Sequence, residues 1–241
     1  MWERCARAAM LAVSLLAGAA RADDLADFHA AVENVAAHNR VALGYLRSEN
    51  ADLAAIELER MREAWGALAS RFAQTPPAQL QGNPLYATAF VEAPTRIATA
   101  LMMVDAGHLG PARDSLLAVR NAISTLRRTS RIEVLADCVL DANAAMDALI
   151  AYRDSPPDWT IAGTGEDVAA KARAYAGVIR RCDGMASASI RQSEEFRRLI
   201  DGALASIALV PEAVSSRDNA LLHRILIELR SFDNLLAFRF G

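Results

Sequence analysis

Leu58, Met61, Trp65, Leu68 and Phe72 follow one another at intervals of three and four, which places all five on one face of a helix. The same spacing recurs at Leu25, Phe28, Val32, Val35, Asn39 and Ala42, and again at Tyr86, Phe90, Ala93, Ile97, Ala100 and Val104. A fourth run carries Leu116, Leu117, Val119, Arg120 and Leu126. The pattern predicts four helices, each offering an apolar seam to a common core.

Moving each position on by about 110 residues finds a second set in the same order. Leu25, Phe28, Val32, Val35, Asn39 and Ala42 become Leu135, Cys138, Ala142, Ala145, Leu149 and Tyr152, and Leu25-Ala26-Asp27 recurs as Leu135-Ala136-Asp137. The Leu58 helix becomes Val168, Lys171, Tyr175, Val178 and Cys182, with Lys171 breaking the apolar pattern. The third and fourth helices map onto the runs Phe196 to Val214 and Leu226 to Leu236 without a gap. Four helices sharing one offset argue for an internal repeat, and the expected fold is all-α: two tandem up-down four-helix bundles over residues 23–130 and 131–241.

Helix breakers fall where such bundles need turns: Ser48 to Asn50, Thr75 to Pro84, Gly107 to Pro111, Ser155 to Gly165, Gly184 to Ser189 and Ser215 to Asp218. Around Thr129 and Ser130 there is neither Gly nor Pro, so the fourth helix is expected to run on into the fifth. Pro94 and Pro211 interrupt the third helix of each copy and should kink it or mark a broken start.

Arg4 and Arg7 precede an apolar run from Ala8 to Ala20, followed by Ala20-Arg21-Ala22, the form of a cleaved signal peptide over Met1 to Ala22. The run is short of the roughly 20 residues that cross a bilayer, and no later segment reads as a span. A soluble periplasmic or secreted protein without a lipid anchor is expected, since Cys5 is far from the cleavage point. Loss of the leader leaves 23 basic and 28 acidic residues, a net charge of −5, which disfavours nucleic acid as a partner. An apolar content of 53% with 6% aromatic suits an alanine-rich helical protein and excludes disorder.

Cys138 and Cys182 lie equally far from residue 160, inside the Ser155 to Gly165 turn, and so face each other across an antiparallel helical hairpin. A disulfide is expected there in an oxidising compartment. The first copy has Phe28 and Phe72 in the same places. Neither C-x-x-C-H nor further soft ligands at matching spacing accompany the two cysteines.

The first copy resembles the cytochrome b562 family of small periplasmic four-helix haem proteins. The residues that carry the resemblance are Asp24-Leu25-Ala26-Asp27, Met61-Arg62, Ala73-Gln74-Thr75-Pro76-Pro77, Asn83-Pro84 and Arg120-Asn121-Ala122, over roughly residues 23–128. That family holds haem iron between a methionine on the first helix and a histidine late in the fourth. Here those places fall at His29 and about Ser124, and in the second copy at Val139 and Asn234. The resemblance implies the bundle fold and the compartment, with His29 as the residue left to hold haem.

Histidines His29, His38, His108 and His223 show no paired metal spacing. His29 is expected half-buried beside the seam and His223 on the surface. Met102 and Met103 with His108 a turn beyond would suit a thioether and imidazole copper site, or fill a core. Asp137, Asp141 and Asp147 are expected on a solvated face, and the apolar end Leu235 to Gly241 should dock on the bundle or on a partner. No nucleophile and base pair, phosphate loop or paired carboxylates stand out. The sequence therefore reads as a non-enzymatic exported binding or scaffold protein acting through a protein partner, without a resident cofactor. The alternative is a haem or copper carrier using His29 or the Met102, Met103 and His108 group.

Overall fold

The computed structural model describes the backbone of residues 2–241 and the side chains of residues 24–241, so the leader expected over residues 1–22 lies outside the described side chains. The chain is all-helical, with no strand among the described residues. It divides into two units, Met1–Ile132 and Glu133–Gly241, each with its own apolar core.

In the first unit α1 (Trp2–Arg47), α2 (Ala51–Phe72), α3 (Leu85–Asp105) and α4 (Leu109–Thr129) are joined by short turns, with a single 3-10 turn at Ala78–Leu80. α1 packs on α2 and α4, and α3 packs on the same two helices. The predicted seams are what they bury: Leu58, Met61, Trp65, Leu68 and Phe72 from α2 meet Phe28, Val32 and Val35 from α1 in one cluster. Pro94 is carried inside α3 on its exposed side.

The second unit holds α5 (Leu135–Asp154), α6 (Thr164–Met185), the short α7 (Ala188–Gln192), α8 (Glu194–Ile207), α9 (Val210–Ser216) and α10 (Asn219–Phe240). α5 packs on α6 and α10, while α8 and α9 both lie against α6 and α10. Asn50, Ser193 and Asp218 cap α2, α8 and α10 by accepting from backbone N–H groups of Leu53, Phe196 and Leu221. The chain end is docked: the Phe240 ring meets Phe196 edge-on at 5.1 Å, and Arg239 pairs with Glu195 at 2.7 Å.

Two expectations need correction. The fourth helix does not run on into the fifth. α4 stops at Thr129, Arg131 takes a left-handed backbone with φ +57°, and Ile132 N–H donates to Arg127 C=O at 2.9 Å while Arg131 N–H donates to Arg128 C=O at 3.0 Å. This is a Schellman closure with arginine where glycine is usual, and Ile132 packs back on the core as that motif demands.

As expected of Pro211, the third helix of the second half is interrupted: it forms two helices, α8 and α9, because Pro211 at the start of α9 supplies no N–H and the chain turns at Ala208 and Leu209. The second correction concerns length and apolarity, since Glu194–Ser216 is by composition apolar and long enough to cross a bilayer. Its apolar residues Phe196, Leu199, Ile200, Ala203 and Ile207 are buried in the core of the second unit.

Candidate functional site

The two cysteines are brought together as expected. α5 and α6 run antiparallel about the 155–163 turn, which sets the Cα atoms of Cys138 and Cys182 5.4 Å apart, and the sulfurs are bonded. At the matching place in the first unit the Phe28 and Phe72 rings meet edge-on at 5.4 Å. Tyr86 extends that aromatic group toward Phe90 and donates its hydroxyl to Phe72 C=O at 2.7 Å. Burial pushes the Tyr86 hydroxyl up to about 12.

His29, the residue expected to hold haem, is half-buried with its ring 6.0 Å from that of Phe28. Ser124, at the position of the second iron ligand, is buried, and its hydroxyl accepts from Arg128 at 3.1 Å. In the second unit Val139 is fully buried in the core. Met102, Met103 and His108 do not share a face: Met103 packs against the core, Met102 is 61% exposed, and His108 stands exposed at the start of α4. Groups of three or more His, Cys, Asp or Glu side chains fit to hold a metal ion are absent among the described residues.

The structure assembles two polar groups that sequence spacing did not single out. In the first, His38 Nδ1 on α1 lies 2.8 Å from Glu57 Oε2 on α2, and Arg60 donates to Glu57 Oε1 at 2.6 Å. Burial raises Glu57, but the hydrogen bonds from His38 and Arg60 outweigh it and hold the carboxyl below its ordinary range. Beside them Asn39 donates to Leu116 C=O at 3.2 Å and so ties α1 to α4.

The second group lies in the core of the other unit. Asp233 on α10 is 1% exposed and accepts from Arg230 at 3.2 Å, while Arg230 also reaches Asp147 on α5 at 2.6 Å. Asn143 of α5 faces the Asp233 carboxyl and favours its charged form, and Tyr175 of α6 feels its charge. Asp233 Oδ1 and the Tyr175 hydroxyl have no hydrogen-bond partner among the described residues. Burial is the main cause that pushes Asp233 up to about 6, and burial likewise raises Tyr175.

The aspartates expected on a solvated face divide. Asp137 is buried at 5% exposure because the first turn of α5 tucks it inward, whereas Asp141 pairs with Arg181 and Asp147 with Arg230 at the surface. Asp233 was legible in principle: Leu222, Leu226, Leu229, Asp233 and Leu236 follow the seam spacing, so a carboxylate stands at a core position.

On the outside of the first unit, α3 carries Val91, 70% exposed, with Thr95, Thr99 and Met102 following at helical spacing. Val91, Glu92, Thr95, Arg96 and Thr99 form, with Ser115 of α4, a shallow groove of about 280 Å³. A second groove of about 530 Å³, lined by Gln79, Gln81, Asn83 and Thr129 among others, opens at the end of the same unit. No protein-family model, no curated protein and no solved structure matches this chain.

Proposed function

We propose that the chain is an exported, non-enzymatic binding or scaffold protein made of two up-down four-helix bundles, related by an internal repeat of about 110 residues and similar in plan to the cytochrome b562 family. The repeat reading is supported by element positions: α4 begins at Leu109 and α10 at Asn219, α3 spans Leu85–Asp105 against Glu194–Ser216 for α8 and α9, and pairs such as Phe28 and Cys138, Leu58 and Val168, Tyr86 and Phe196, and Leu116 and Leu226 are buried in both units. Trp65 and Tyr175, a pair at that offset, are both buried with their polar atom unbonded.

The observation that carries the binding reading is the open face of α3. Val91 and Met102 are large, apolar and mostly exposed on α3, and Val91 lines a groove with Glu92, Thr95, Arg96 and Thr99. Large exposed apolar side chains set among polar and charged ones are how a helix presents itself to a protein partner. The test is recovery of bound protein from the compartment to which the chain is exported, comparing the wild type with Val91→Asp/Met102→Asp and with Ile161→Asp in the other unit as control. A partner held by the wild type and the control, and lost by the double variant, is expected; equal recovery by all three would overturn the reading.

The carrier alternative rests on His29, whose ring lies half-buried against Phe28 at the aromatic end of the first unit. Metal content and the visible spectrum of the purified protein, with and without added haem, separate the two. A stoichiometric haem band lost on His29→Ala would replace the scaffold reading with a carrier.

A further inference from the structure

We propose that the second unit contains a proton-operated lock: Asp233, enclosed by α5, α6 and α10, is protonated in the tightly packed state, and its ionisation loosens the packing of α10 on α5.

The placement of the carboxyl carries the argument. Asp233 sits on the seam of α10 between Leu229 and Leu236, both buried, at a depth where 1% of its surface meets water. A charge so placed needs a full set of donors, and Asp233 lacks one. Among the described residues its one cation is Arg230, which is shared with a second carboxylate and lies nearer to it: 2.6 Å to Asp147 against 3.2 Å to Asp233. Asn143 offers only a neutral amide beside the carboxyl, and Oδ1 has no hydrogen-bond partner among the described residues.

The groups that face Asp233 are therefore Arg230 on its own helix, Asn143 and Asp147 on α5, and Tyr175 on α6. The buried faces of α8 and α9, which also pack on α10, contribute no charged side chain among the described residues. Asp147 adds like charge and Tyr175 is fully buried with its hydroxyl unbonded. Taken together the surroundings favour the neutral acid, in agreement with the upward displacement of Asp233 by burial. The first unit has Ile123 at the equivalent place, a buried apolar residue with nothing to titrate.

Carboxyl carbon NMR of the full chain, with Asp233→Asn used to assign the signal, tests the lock directly. Asp233 should titrate near pH 6 rather than near 4, and amide protection factors in α5 and α10 should rise as pH falls from 7.5 to 5. In Asp233→Asn those protection factors should not change over that interval. A titration near 4, or protection in the wild type that ignores pH, would overturn the proposal. The titration is read in the wild type, so it stands even if Asp233→Asn folds poorly, and Tyr175→Phe then provides a second assignment through the shift it imposes on the Asp233 signal.

Discussion

Arg131 holds a left-handed backbone at the end of α4, as Glu49 does after α1 and Arg217 after α9, each with φ between 55° and 57°. In all three the next residue closes a Schellman bond back into the helix: Asn50 to Tyr45 at 2.9 Å, Ile132 to Arg127 at 2.9 Å and Asp218 to Ala213 at 2.9 Å. A side chain with a Cβ pays roughly 1 kcal/mol for this conformation. Arg131→Gly should therefore raise stability by about 0.5–1 kcal/mol, and Arg131→Val should lower it; urea unfolding at fixed pH measures both. Tyr86 is a residue with the opposite sign. Tyr86→Phe strands Phe72 C=O in the core and should cost about 1 kcal/mol.

Among elements, the helical hairpins are where sequence patterning was most informative. Seam spacing placed Phe28 against Phe72 and Cys138 against Cys182 because antiparallel helices about a known turn leave one geometric choice. It failed where the deciding chemistry has no residue signature. The stop after Thr129 uses arginine in a position that glycine usually marks, so nothing in composition announced it. The His38 and Glu57 pair escaped notice because its members are 19 residues apart on two helices, and only the packing angle of α1 on α2 brings them to 2.8 Å.

Two element-level outcomes follow from this packing. Replacing both Cys138 and Cys182 with alanine releases a loop with a sequence separation of 44 and should cost about 4 kcal/mol by chain entropy, read as a lower denaturant midpoint in the oxidised protein only. Gly202 on α8 lies so close to α10 that a Cβ there would fall 2.5 Å from the Phe232 ring. Gly202→Ala should destabilise by about 1–3 kcal/mol, since the ring must turn away, and Gly202→Ala/Phe232→Ala should recover part of the loss relative to Phe232→Ala alone.

At the scale of the molecule, the two cores carry carboxyls displaced in opposite directions, so acid should act on them with opposite signs. Glu57 in the first unit is held below its ordinary range, so its contribution is present above the unfolded value of 4.5 and is lost as pH falls through the lower folded value. Asp233 in the second is raised from 3.8 to about 6, so its contribution is fully present below 3.8 and is lost as pH rises through 6. A displacement of that size corresponds to about 3 kcal/mol at most. Between pH 7 and 5 the second unit should gain stability while the first stays level, and below pH 4.5 the first should weaken. Calorimetry of the full chain across this range should show two transitions whose separation changes with pH. Asp233→Asn should flatten the movement of one between pH 7 and 5, and Glu57→Gln should flatten the acid loss of the other. Transitions that shift in parallel at every pH would mean that the two carboxyls do not govern their units separately.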